Sequence, residues 1–199
     1  MFDLVIAKYK EDISWAEQLN FKKFIYNKND EPFPNSIQLK NIGREAHTWA
    51  YHIVKNYNNL DEYTIFVQGD PFYHFENFME IAKKLPESLD QLNKVDDGLY
   101  SLADINQPED LDFLKNRNVH PDKVLKLISS KEQNKTLFPF AWGAQHIVHR
   151  NNILCKSIDF WQKLVEIHDT AIHWPWSLER CWIEIFGRDT LQVNKKLFL

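Results

Sequence analysis

The sequence predicts one α/β domain over residues 1–199, built on a mixed, mainly parallel sheet with helices on both faces. Three observations predict it. FDLVIAK near the N-terminus is an almost unbroken apolar run, as expected of a strand buried on both faces. Strand-like and helix-like segments alternate through the first third of the chain, the pattern of parallel crossover units. Finally, 199 residues with 44% hydrophobic content suffice for one sizeable core.

Each element follows from local pattern. After FDLVIAK, the stretch ISWAEQL from Ile13 is helix-like, and KKFIYNK from Lys22 to Lys28 is the second strand. NDEPFPNS, rich in Pro and Asn, reads as a polar loop. Ala46, Trp49, Ala50, Ile53, Val54 and Tyr57 fall on one helical face, which predicts a helix from about Gly43 to Asn58. It leads into the strand YTIFV, and FENFMEIAKKL beyond QGD is helical. LNKVDDGLYSLADI has room for a short strand or two, and PDKVLKLISS is a helix with Pro in its first turn. SKEQNKT is an exposed loop, FAWGAQHIVHR a strand, and SIDFWQKLVEIH and WSLERCWIEIF two further helices.

Composition excludes several classes. A formal net charge of −4, with no dense Lys/Arg stripe, gives no electrostatic support for binding nucleic acid. Cys155 and Cys181 are far apart and lack metal-ligand spacing. The eight histidines are scattered, with no HExxH spacing; His47 reads as surface or pocket and His52 as surface. The N-terminus MFDLVIAKYKED is too short in apolar length for a membrane span and lacks the marks of a signal peptide, so the expectation is a soluble cytoplasmic protein. Aromatics make up 14%, which suits either a pocket for a ring-shaped ligand or a heavily aromatic core.

In an open α/β sheet, ligands bind beyond the carboxyl ends of the strands. That rule places KYKED, YNKND and QGDPFYH on one edge. Asp70 there is a candidate for a divalent cation or phosphate site, with Gly69 letting backbone approach the ligand; Asp70-Pro71 also reads as the cap and first turn of the next helix. At NIGRE, Arg44 offers a planar fork for phosphate, or is simply a solvated residue beside the first-turn acid Glu45. Ser177 reads as an N-cap that puts Glu179 and Arg180 in a first turn, where Glu179 is either a dipole-complementing acid kept ionised or a general base. Trp174 and Trp176 beside it are an acceptor platform or a hydrophobic staple.

NIGREAHTWAYHIVKNY, TIFVQGDPFYH, WGAQHIVHRNNIL and WPWSLERCWIEIFG, in that order, resemble a family of uncharacterised proteins similar to GT-A-type glycosyltransferases. The resemblance covers nearly the whole chain. It implies a GT-A-like domain that binds a nucleotide-sugar donor and moves its sugar to a carbohydrate or other hydroxyl acceptor. It further implies that Tyr9 to Asp12 meet the nucleotide and that Gly143 to Gln145 lie beside the acceptor. Gln68 and Asp70 would stand where GT-A enzymes carry Asp-x-Asp, Asp70 holding Mn²⁺ or Mg²⁺, and Glu179 would take the acceptor proton, with Asp12, Asp97 or His146 as substitutes. Gln68 departs from the acidic pattern, and without the metal Arg44, Lys28 or Arg180 would carry the phosphate charge. A second class stays open: a non-catalytic carbohydrate- or nucleotide-binding module with a degenerate site.

Overall fold

The computed structural model describes residues 1–92, 98–102, 108–128, 135–169 and 174–187. Strand β1 (Phe2–Lys8) leads through a 3₁₀ turn (Ser14–Gln18) to β2 (Lys22–Asn27), the short β3 (Ser36–Gln38), helix α1 (Arg44–Asn56) and β4 (Tyr63–Gln68). There follow α2 (Phe78–Lys84), α3 (Leu89–Leu92), β5 (Leu99–Ser101), β6 (Glu109–Asp110), α4 (Leu111–Asn116) and α5 (Pro121–Ile128). The last third holds β7 (Leu137–Phe138), β8 (His146–His149), α6 (Arg150–Leu154), α7 (Ile158–Glu166), α8 (Trp174–Glu179) and α9 (Trp182–Phe186).

The main sheet has the order β3-β2-β1-β4-β8-β5. β1 pairs parallel with both β2 and β4, β2 pairs parallel with β3, and β8 runs antiparallel between β4 and β5. The sheet is therefore mixed and mainly parallel. Because strand side chains alternate between faces, β1 feeds two cores. Val5, with Tyr26 and Phe66, packs under Trp49, Trp161, Trp182 and Phe186 on one face. Leu4 and Ile6, with Ile65 and Val67, pack under Trp15, Phe78, Ile81 and Leu85 on the other. Covering both faces explains why FDLVIAK carries no polar alternation.

Four expectations are corrected. A third strand, Ser36–Gln38, closes the polar loop because Ile25, Tyr26 and Asn27 offer their second edge to it. The strand expected over FAWGAQHIVHR is only His146–His149: Gly143 at φ 68° and Ala144 at φ 50° turn the chain beforehand. The helix after QGD starts at Phe78, not Pro71, because the partly buried Phe72 and Phe75 pack onto the second core and hold residues 71–77 in turns. WSLERCWIEIF forms two short helices, the first beginning at Trp174 with Pro175 in its first turn. Ser177 thus lies inside α8, where its Oγ accepts the His120 N–H at 2.9 Å, and is not a cap. Among the described residues, no helix is long and apolar enough to cross a membrane.

Candidate functional site

The carboxyl ends of β1, β2 and β4 open into a cleft of about 1090 Å³. With β1 central and its two parallel neighbours on opposite sides, this is the crevice where an open α/β sheet accepts ligands. Tyr9 and Glu11 reach it from the end of β1, Lys28 from the end of β2, and Gln68, Asp70 and Tyr73 from the end of β4. The start of α1 adds Gly43, Arg44 and Glu45, and the C-terminal third adds His168 and Trp176.

Five residues singled out in the sequence, Tyr9, Lys28, Arg44, Gln68 and Asp70, line this cleft. Three others do not. Asp12 is exposed and accepts both the backbone N–H and the hydroxyl of Ser14 at 2.9 Å, bonds that hold its carboxyl below the usual range. Arg180 donates from Nε to Glu109 Oε2 at 3.0 Å, pairs with Glu179, and lies 3.9 Å over the Phe140 ring. Glu179 is the last residue of α8, not a first-turn acid; Oε1 accepts the Gly143 N–H at 3.1 Å and Oε2 faces Arg180. The expected helix-dipole effect is reversed: burial pushes this carboxyl up, opposed by Arg180 and the Gly143 N–H. Trp176 is on the cleft wall while Trp174 packs against the core.

The histidine expectations change as well. His52 is fully buried, not surface, because Tyr26 Oη lies 2.9 Å from its Nδ1 and Phe24 packs against its ring. His146 is core, with Ser101 Oγ at 3.1 Å from Nδ1, and burial holds it neutral with a pKa of about 3. Asp97 lies outside the described residues.

The edge at β4 is built on close approach. A β-carbon on Gly69 would stand 2.5 Å from Glu11 Oε2, so this glycine makes room for a side chain of the protein rather than for a ligand. Trp15 Nε1 donates to the Gly69 carbonyl at 3.0 Å and fixes the strand end. Asp70 accepts the Phe72 N–H at 3.1 Å, an Asx turn, and Glu11 accepts the Tyr9 N–H at 2.7 Å. Among the described residues no group of three or more His, Cys, Asp or Glu is placed to hold a metal ion. Two carboxylates that each already hold a backbone N–H, with a neutral Gln68, make a sparse donor set for Mn²⁺ or Mg²⁺, which at such a site depends on phosphate oxygens arriving with the ligand.

The opposite wall is electrostatically loaded. Lys28 is 4% exposed, and its Nζ donates to the carbonyls of Ile42 and Arg44. Burial brings its pKa down to about 7, partly offset by Glu45. Burial also pushes Glu45 up to about 7; Glu179 adds to this, while its own backbone N–H, Arg44 and Lys28 oppose it. An acid and a base that both change protonation near neutrality therefore share one wall. His168 is 5% exposed, and among the described residues neither ring nitrogen has a hydrogen-bond partner. Burial first, then the charges of His47 and Lys28, hold it neutral at about 3. Glu11 falls inside the Tyr9 to Asp12 stretch expected at the nucleotide, whereas Glu45 and His168 are cleft residues that the sequence did not put forward as a site. For Glu45 the signal was its place beside Arg44 in NIGRE; His168, in a plain amphipathic stretch, carried none.

Fold and cleft together define an α/β protein with a polar crevice at the carboxyl edge of the parallel strands of its main sheet. The chain belongs to the family described as "Protein of unknown function (DUF3431)", which matches residues 4–196. It is also similar to "RNA helicase NPH-II" of Melanoplus sanguinipes entomopoxvirus, at 24% identity over 112 residues. That match covers 56% of this chain and 16% of the viral protein. No solved structure matches the chain.

Proposed function

We propose that the protein is a GT-A-type glycosyltransferase that moves a sugar from a nucleotide-sugar donor to a hydroxyl acceptor in this cleft. One observation carries the reading: the cleft gathers Lys28 and Arg44 opposite Asp70 and Glu11 at the carboxyl edge of β1, β2 and β4. A nucleotide diphosphate needs cations and backbone donors; a sugar needs acidic and aromatic partners. Tyr9 offers a ring to the nucleotide base, and Tyr73 and Trp176 offer exposed rings to sugars. Asp70 would meet any Mn²⁺ or Mg²⁺ that enters with the diphosphate, where the ion would neutralise the departing phosphate charge. Glu45 faces the cleft and Glu179 does not, so the acceptor proton is assigned to Glu45.

The test is incubation of the protein with a panel of nucleotide sugars and simple sugar acceptors, with and without Mn²⁺, reading released nucleotide diphosphate and glycosylated product by mass spectrometry. Consumption of one donor is expected. A second reading, a non-catalytic carbohydrate- or nucleotide-binding module, draws on Gln68 standing where the motif has its first acid. Saturable donor binding without any product would establish that reading over the first.

A further inference from the structure

We infer that the N-terminus of α1, with Arg44, Lys28 and His168, forms an anion site that takes the diphosphate of a nucleotide without a metal ion. The inference deepens the transferase reading and rests on it only for the nucleotide that the diphosphate belongs to. α1 (Arg44–Asn56) is 13 residues long and follows Gly43 at its cap position, which has no side chain to offer, so apart from the Glu45 N–H, which its own carboxyl takes, the positive end of its dipole faces the cleft. Lys28 engages the carbonyls of Ile42 and Arg44, so two oxygens that would repel an anion are already taken by its Nζ. The Arg44 guanidinium lies 4.6 Å from the Trp176 ring centroid, and this shelf orients its fork at the cleft wall.

His168 is the independent observation. Its ring is packed against Gly43, it lines the same cleft, and among the described residues neither of its buried nitrogens has a hydrogen-bond partner. A buried imidazole left unpaired is costly unless something supplies the missing bond, and a phosphate oxygen would accept from it. The acids facing this wall are Glu45, on the first turn, and Glu179 behind it. Lys28, whose pKa burial has brought down to about 7, takes up a proton readily when an anion arrives beside it. Asp70 and Glu11 stand at the end of β1 and β4, outside this group.

Calorimetric titration of inorganic pyrophosphate into the full chain in the presence of EDTA tests the site. Binding is expected in EDTA, and to weaken at least about tenfold in His168→Phe, which keeps a ring and removes both nitrogens. Arg44→Gly, at an exposed residue, is expected to weaken it by a similar factor and carries the test alone if the His168 variant does not fold. Binding only after Mn²⁺ or Mg²⁺ is added, equal affinity in Arg44→Gly, or no binding at all overturns the inference. Pyrophosphate binding in a protein that transfers no sugar leaves the anion site standing and removes the transferase reading.

Discussion

Gly43 and His168 touch so closely that a β-carbon on residue 43 would stand 2.5 Å from His168 Cγ. Gly43 also holds φ at 62°, in the left-handed region that costs other residues roughly 1–2 kcal/mol. Gly43→Ala therefore combines backbone strain with displacement of the imidazole. We expect a loss of about 1–3 kcal/mol in urea denaturation together with weaker pyrophosphate binding. Retained stability with retained binding would show that the contact positions nothing.

Glu45 and Glu179 separate by assay. Glu45→Gln keeps size and removes basicity, so transfer is expected to fall by about 10²-fold with little change in stability. Glu179→Gln weakens the partner of Arg180 and the Gly143 N–H, and is expected to cost roughly 1–3 kcal/mol of stability, with any loss of rate following the loss of fold. A stable Glu179→Gln protein without transfer would return the base to Glu179.

Lys28 gives the protein an unusual alkaline profile. Its folded pKa, about 7, lies below the unfolded value of about 10.5, so between them the unfolded chain binds the extra proton and stability rises with pH. From pH 7 to 9 we expect the urea midpoint to climb, with a slope of at most about 1.4 kcal/mol per pH unit. Lys28→Met should flatten the rise. A flat profile in the native protein would mean that the amine stays charged.

Asp70→Asn isolates charge from geometry. An Asn Oδ1 can still accept the Phe72 N–H, so the turn and the stability are expected to stay within about 0.5 kcal/mol. Donor binding measured with Mn²⁺ should drop if the carboxylate meets a phosphate-borne ion. Unchanged affinity assigns Asp70 to the turn alone.

The parallel half of the fold was legible because both faces of β1 and β4 are buried, which writes itself as FDLVIAK and YTIFV, and because Trp49 and Ile53 mark the buried stripe of α1. The sheet-edge rule then found Tyr9, Lys28, Gln68 and Asp70 together, and Arg44, singled out separately in NIGRE, joins them in the cleft. The rest depended on contacts distant in sequence. Nothing local to Ser177 announces that its hydroxyl will bond residue 120, and nothing local to His168 announces Gly43. Glu179 resembled a helix-start acid only while Ser177 was read as the cap; Pro175, two residues before Ser177, belonged to the true start.

The two flanks of the sheet, β3 and β5, are each three residues long. An incoming strand of another chain would find only a few backbone groups to pair with there, while the long apolar strands β1 and β4 are shielded at the centre. Such a sheet resists edge-to-edge growth into fibrils. The hazard is confined to chains in which β2 or β8 has detached, so conditions that loosen those strands should govern how readily this protein aggregates.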